Sequence, residues 1–365
     1  MNIIVSAAAL RTSGGNTIYR QFIEHLRNHV SSGDFYYIFI DYDMQQPYIK
    51  GVEYICVDIR SHIKRCLFDY FICARILKSK DINPDFVISL QNTGVHCLKR
   101  KPHLIYYHQS IPFYSHKWSL FKSSERTLFF YKYIYPLFVK LTLTANTQIV
   151  VQTHYIKEKF VDFFKLDKER VHVQFPDIEN ESAEEIEEFN YNLHYTNFIY
   201  PATGFSYKEH LTLFRALSLL KTQNPKIAKK IRIYLTISKE EYPQYANYIL
   251  KQGIEENICF IGKIDRIQLF SMYKASNALL FPSTLETIGL PLLEAASMGS
   301  HILVSDLKYA KEVLQGYEGS VFISPYNYQQ WADEMSKIVL MPQKHPVYEI
   351  HRESAWNDFF TLVKI

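Results

Sequence analysis

The sequence predicts an α/β architecture: two Rossmann-like, doubly wound domains facing one another across a cleft. Three observations carry that expectation. Strand-like runs alternate with helix-length amphipathic stretches through both halves of the chain. An acidic segment near the middle interrupts the alternation once, and a length of 365 residues suits two domains. With 47% hydrophobic and 21% charged residues, the chain has the composition of a core-forming globular protein.

The first series of strands reads NIIVSAAA, YYIFIDYD, EYICVDI, DFVISLQN, HLIYYHQS, QIVVQT and VHVQFP. Amphipathic stretches such as TIYRQFIEHLRNHV lie between several of them, as βαβ units require. A first domain over 1–176 follows. Residues 177–190 then hold seven acids and no base, which reads as a solvated linker over 177–194. A second series, NFIYPAT, IRIYLTI, NICFIG, NALLFPS, HILVSD and SVFISP, builds a second domain over 195–345. Residues 346–365 end in ESAWNDFFTLVKI, an amphipathic terminal helix. Doubly wound sheets bind ligands at the carboxyl ends of their strands, so the loops after these runs are the places to look for chemistry.

Charge and cysteine content narrow the classes. Lys and Arg number 41 against 37 acids, a net of +4, too small an excess to mark a nucleic-acid binder. The five cysteines form no CxxC pair and no metal-like spacing, which fits a reducing cytoplasm. MNIIVSAAAL lacks the basic start of a signal peptide and reads as a first strand. LFFYKYIYPLFVKLTL is interrupted by Lys132, Pro136 and Lys140, so the expectation is a soluble or peripheral protein.

The richest stretch is FPSTLETIGLPLLEAASMG, residues 281–299. It is nearly all apolar or small, yet it carries Glu286 and Glu294. A strand ends in NALLFPS, a loop follows, Pro291 suits the first turn of a helix and Gly299 its end. Glu286 then lies in the loop and Glu294 one turn inside the helix. The N–H groups near Ile288, Gly289 and Leu290 point out of the helix start, an arrangement suited to a phosphate. Carboxylates accept hydrogen bonds only, so two of them beside a phosphate site suit polyhydroxyl groups.

These residues resemble the E-x7-E signature of retaining GT-B glycosyltransferases, specifically glycosyltransferase family 4. The resemblance implies the GT-B fold and a nucleotide-diphosphate-sugar donor, UDP- or GDP-linked, with no further cofactor and no metal. It assigns Glu286 to the donor sugar and Glu294 to the ribose. FIYPATGFSYKEH resembles the strand and loop that open the family's second domain, where a lysine reaches the diphosphate; that residue is Lys208. Many members carry an arginine shortly before it, and PATGFS has none.

In the first domain RTSGGNTIYRQF resembles the family's glycine pair, with Gly14 and Gly15 allowing a tight turn near the ligand. LIYYHQSIPFY places His108 at a strand end, where the family has a histidine at the sugar end of the cleft. Gln109, Ser110 and Tyr114 are candidate acceptor contacts, and Gln91, Asn92 and Thr153 either line the cleft or serve as turn residues. Tyr273 lies on a helix whose preceding strand end contacts the base in related enzymes, while Asp306 and Glu312 read as structural. Asp41 and Asp43 mimic a DxD metal motif, but a two-domain α/β layout predicts a metal-independent site. The family's terminal helix crosses back to the first domain, which assigns Trp356 that place, and cleft closure is expected.

Residues 114–140 mix aromatics with Lys117, Lys122, Arg126, Lys132 and Lys140. They suit either a helix packed on the sheet or peripheral contact with the inner membrane surface, Trp118 or Phe121 dipping into the interface. Together these readings imply a transferase acting on a glycan or lipid-linked glycan acceptor in bacterial surface-polysaccharide (O-antigen, lipopolysaccharide or capsule) assembly, in the cytoplasm or at the inner membrane. Two alternatives stay open. A nucleotide-sugar 2-epimerase of the same fold needs acid/base carboxylates beyond Glu286 and Glu294, and a non-catalytic glycan-binding subunit would have lost the site.

Overall fold

The computed structural model describes residues 1–11, 13–177, 189–348 and 354–363; most of the acidic segment expected at 177–194, and part of the terminal stretch 346–365, lie outside the described residues. The chain divides into two compact units, residues 1–177 with 352–365, and residues 178–351.

The first unit is built on a seven-stranded parallel sheet: β1 (Asn2–Ser6), β2 (Phe35–Ile40), β3 (Val52–Cys56), β4 (Phe86–Ser89), β5 (His103–Tyr107), β6 (Thr147–Val151) and β7 (Val171–Val173). Their spatial order is β3-β2-β1-β4-β5-β6-β7. Chain direction across the sheet therefore reverses between β1 and β4, the switch point of a doubly wound fold. β4 and β5 are buried along their whole length, and both faces are covered by helices, which is why these strands read as unbroken apolar runs.

The second unit carries a six-stranded parallel sheet: β8 (Thr196–Tyr200), β9 (Ile231–Leu235), β10 (Ile258–Phe260), β11 (Ala278–Phe281), β12 (Ile302–Ser305) and β13 (Ser320–Ile323). The order β10-β9-β8-β11-β12-β13 puts its switch point between β8 and β11. The register pairs Ala278 with Phe198 and Leu279 with Ile199, so these two strands finish side by side.

The terminal helix is short, Trp356–Thr361, and packs on the helix Ser13–His29 of the first unit. Trp356 Nε1 donates to Gln21 Oε1 at 3.2 Å, and the Phe360 ring stacks on Phe22 at 5.5 Å. The same surface fixes the point where the chain leaves the first unit. Asp177 Oδ2 accepts from Ser354 Oγ at 2.9 Å and lies 2.7 Å from His25 Nε2, while Gln21 bonds the Asp177 backbone in both directions. Residues 345–348 run along the second unit instead: Tyr348 N donates to the Ala296 carbonyl at 2.9 Å, and His345 meets His301 at 2.8 Å.

Two sequence expectations change here. Gly14 and Gly15 lie in the first turn of the helix Ser13–His29, not in a left-handed turn; what Gly15 provides is closeness, since a Cβ there would stand 3.1 Å from Leu10 Cδ2. Trp118 is buried at 4% exposure, with the Lys132 ammonium 5.5 Å above its ring, so it packs inward while Phe121 is the exposed aromatic.

Candidate functional site

In the second unit the loops after β8 and β11 leave the sheet at its switch point, and each delivers one charged side chain. After β8, a short 3-10 turn over Ser206–Lys208 ends in Glu209 with a left-handed backbone, φ 55°. The Tyr200 hydroxyl at the end of β8 donates to the Lys208 carbonyl and anchors the turn. After β11, the loop is tied to that turn: Thr284 donates to the Tyr207 carbonyl through both its N–H, at 2.9 Å, and its hydroxyl, at 3.1 Å. Tyr309 holds the same loop from the other side by donating to the Ser283 carbonyl at 2.8 Å. The result is that Lys208 Nζ lies 2.5 Å from Glu286 Oε1, both side chains largely withdrawn from solvent. Glu286 Oε2 has no protein partner among the described residues.

The helix Leu290–Ser297 begins immediately after this pair. Gly289 caps it at φ 76°, a conformation that favours glycine, and Pro291 occupies the first turn. Ile288 and Gly289 are buried and Leu290 is half-buried, so the N–H groups of the helix start are held at a fixed place beside Glu286. Gly299, at φ 67°, closes the turn after the helix.

Glu294 is 7% exposed and occupied on both oxygens. Arg266 Nη1 donates to Oε1 at 3.0 Å and the Tyr273 hydroxyl to Oε2 at 3.2 Å. Arg266 was not singled out from the sequence. It occupies the first position of the helix Arg266–Ala275, where a cation opposes the helix dipole, and that misfit is the one signal its sequence carried. Its guanidinium lies 4.8 Å from the Phe270 ring centre. Tyr273 belongs to the same network, and burial pushes its hydroxyl far above the ordinary range.

The structure thus brings Lys208, Glu286, Ile288, Gly289, Leu290 and Glu294 to one end of the second sheet. The candidates of the first unit stand at the ends of β1, β4 and β5. His108 N donates to Asn92 Oδ1 at 2.6 Å, and Asn92 itself takes a left-handed backbone at φ 69°. Burial, with the Arg65 charge second, holds the His108 imidazole down to about 4, so the ring is neutral at physiological pH. Gln91 joins the ends of β1 and β4 by accepting from Ala9 N at 2.9 Å and donating to Ser6 Oγ. Thr153 caps the helix His154–Phe164 through Ile156 N at 3.2 Å, and Gln109 Oε1 accepts from Ile111 N. Gln91, Asn92 and Thr153 therefore have structural work to do.

The DxD-like pair has a partner of its own. Arg60 donates to Asp41 Oδ1 at 2.7 Å, to Asp41 Oδ2 at 3.0 Å and to Asp43 Oδ2 at 2.6 Å. That guanidinium is what holds the Asp41 carboxyl below the usual carboxylate range. Asp306 pairs with Lys311 at 2.5 Å.

A family model described as glycosyl transferases group 1 matches residues 181–351. In sequence, the chain is similar to the O-antigen chain mannosyltransferase RfbU of Salmonella typhimurium, 20% identical over 217 residues that are 59% of this chain and 57% of that protein. It is also similar to the D-inositol 3-phosphate glycosyltransferase of Gordonia bronchialis, 25% identical over 92 residues, 25% of this chain and 20% of that one. The chain spans about half the length, or less, of the relatives it matches. Among solved structures, WaaG, a glycosyltransferase involved in lipopolysaccharide biosynthesis, aligns at a TM-score of 0.65 and 16% identity, covering 93% of this chain and 91% of that one. Anabaena HepE in complex with UDP and glucose aligns at 0.66 and 13% identity, covering 95% and 92%. At such identities the likeness establishes the fold, which is that of the GT-B glycosyltransferases.

Proposed function

Because residues 181–351 match the model described as glycosyl transferases group 1, we propose that the whole chain is a retaining, metal-independent glycosyltransferase. It moves a sugar from a UDP- or GDP-linked donor to a glycan acceptor, lipid-linked or free, in bacterial surface-polysaccharide assembly. The observation that carries this reading is the Lys208–Glu286 pair at the switch point beside the start of the helix Leu290–Ser297. The names of RfbU, an O-antigen mannosyltransferase, and WaaG, a lipopolysaccharide enzyme, support the pathway class, and the UDP bound to HepE supports the donor class.

Under this reading the Lys208 ammonium and the N–H groups at 288–290 meet the donor diphosphate, where negative charge grows as the sugar departs. Glu286 accepts from sugar hydroxyls through Oε2, and Glu294 from the ribose. The bond between the anomeric carbon and the phosphate oxygen breaks, the acceptor oxygen bonds that carbon on the same face, and the acceptor proton passes to the leaving phosphate. Positioning and charge stabilisation then supply the rate, with no side-chain nucleophile. His108, neutral and fixed through its backbone by Asn92, is assigned a contact to the donor sugar. Gly15 lets the backbone pass close to Leu10 at the start of the first helix.

Among the described residues no helix is long and apolar enough to cross a membrane. Phe121, 93% exposed between Lys117 and Lys122, supports peripheral contact with the inner face of the cytoplasmic membrane, where a lipid-linked acceptor would lie. The test is turnover and binding across UDP-, GDP- and ADP-sugars. Binding of one nucleotide class that is lost in Glu294→Ala is expected. If no nucleotide sugar binds, or Glu294→Ala binds as well as the parent, the reading fails.

A further inference from the structure

In the first unit a cavity opens between two helical segments, residues 62–79 and 126–142, and the turn that follows β4. Its space, mouth included, is about 430 Å³, and its wall includes Arg65, Asp69, Tyr70, His96, Phe130 and Tyr135. Both segments carry a π-helical turn, Phe68–Ile72 in one and Phe130–Ile134 in the other. A π turn inserts one extra residue per turn and re-aims the side chains around it, and such turns concentrate at functional sites. Here Asp69 and Tyr70 come from the first turn and Phe130 from the second.

The first π turn also buries an acid beside the fully buried Phe68 while it exposes two apolar residues. Asp69 is 7% exposed while its neighbours Phe71 and Ile72 are 67% and 40% exposed. Burial energetics favour the reverse. Asp69 Oδ1 has no hydrogen-bond partner, and no ion pair joins the carboxylate to Arg65 among the described residues. A buried carboxylate without a partner costs the fold stability, so its place has no structural reason of its own. His96 Nδ1 is buried without a partner as well. Arg65, by contrast, is fixed: Nη2 donates to the Gln91 carbonyl, to Thr93 Oγ1 at 3.0 Å and to the Tyr135 hydroxyl at 3.4 Å.

Ionised, as the fold holds it above about pH 7, the Asp69 carboxylate only accepts, and a guanidinium only donates. Together on an aromatic wall they disfavour a cation, which meets Arg65, and an anion, which meets Asp69. They suit a neutral ring with adjacent hydroxyls at its edge and C–H groups on its face. We propose that this cavity binds a neutral sugar ring, its hydroxyls donating to Asp69 and accepting from Arg65, its apolar face against Phe130 and Tyr135. The binding chemistry stands apart from the transferase reading; on that reading the ring belongs to the glycan acceptor, and this assignment alone rests on it.

The test is saturation-transfer NMR of the full chain at pH 8, where Asp69 is ionised, with methyl mannoside, glucoside, galactoside and N-acetylglucosaminide, beside a titration with UDP and GDP. At least one hexoside is expected to bind, and its affinity to fall at least tenfold in Asp69→Leu, which keeps the bulk and removes the acceptor. Asp69→Asn separates structure from function: relieved of a buried acid, it is expected to melt no lower than the parent while hexoside binding weakens. Nucleotide binding is expected to be unchanged in both. No signal from any hexoside, or signal undiminished in both variants, overturns the proposal. A chain that binds hexoside but no nucleotide keeps the pocket and removes the transferase reading; one that binds nucleotide but no hexoside does the opposite.

Discussion

Arg266 and Glu294 stand 28 residues apart in sequence and 3.0 Å apart in space, and the contact explains how an acid came to lie inside an apolar helix. The helix Leu290–Ser297 buries Leu292, Leu293, Ala295 and Ala296 around Glu294, so its carboxylate is desolvated before any ligand arrives. Removing Arg266 takes a guanidinium away from a mostly buried charge to which the Tyr273 hydroxyl still donates. Arg266→Ala is therefore expected to destabilise the second unit by about 1–3 kcal/mol, read as a lower urea midpoint. Nucleotide affinity should fall with it, because Glu294 loses its orientation. An unchanged midpoint would show that the pair contributes nothing.

Lys208 and Glu286 make a second prediction with a different signature. Their contact belongs to two loops already tied together by Thr284 and Tyr207, so the loop scaffold survives loss of the lysine. Lys208→Ala is expected to lower turnover by roughly 10²–10³, the usual scale for losing one charge-stabilising donor, while the melt moves little. Lys208→Arg should restore part of it. Turnover within threefold of the parent in Lys208→Ala would remove Lys208 from the reaction.

Gly289 is held at φ 76°, and a Cβ there would meet Leu292 Cδ1 at 3.3 Å. Gly289→Ala is expected to cost about 1 kcal/mol or more from the backbone alone. It should also turn the N–H groups of the helix start away from the site, weakening UDP or GDP binding in a calorimetric titration. A variant with parental affinity would separate the helix start from nucleotide recognition.

What the sequence made legible was local. The strands are short apolar runs between turn residues, and the 281–299 segment announces itself through Gly289, Pro291 and Gly299, which fix a loop, a helix start and a helix end without reference to anything distant. Arg266 stayed hidden because its meaning lies in a partner 28 residues away. Gly14 and Gly15 were over-read: two glycines permit a turn but do not require one, and the chain continues there as helix. Trp118 was open between membrane and core because a tryptophan among lysines suits both, and the rings of Tyr114 and the ammonium of Lys132 decide for the core. Asp69 was invisible for a geometric reason. An acid in a helix-length run reads as one more solvent-facing polar position, and that Asp69 shares a buried face with Arg65 and Cys73 is decided by what packs on that face.

The buried titratable groups set opposing slopes in the pH dependence of stability. His210 is fully buried with both ring nitrogens unpartnered, and burial, with Lys208 second, holds it down to about 3; burial also holds His108 and His301 to about 4. Unfolded, each binds a proton near pH 6.5. Between about 4 and 6.5 the unfolded chain therefore binds protons that the folded chain refuses, and stability falls as the pH falls, by up to about 1.4 kcal/mol per pH unit for each group. Asp69 acts the other way. Burial raises its carboxyl to about 7 from 3.8, so the folded chain holds the proton in between, and its contribution is lost as the pH rises through 7. Unfolding in urea at pH 5, 6 and 7, followed by the fluorescence of Trp331 in the second unit and of Trp118 and Trp356 in the first, tests both. His210→Leu should flatten the acid-side slope of the second unit, and Asp69→Asn should steepen that of the first. A His210→Leu profile parallel to the parent's would mean that the imidazole takes up its proton in the fold, which its sealed and partnerless ring leaves no room for.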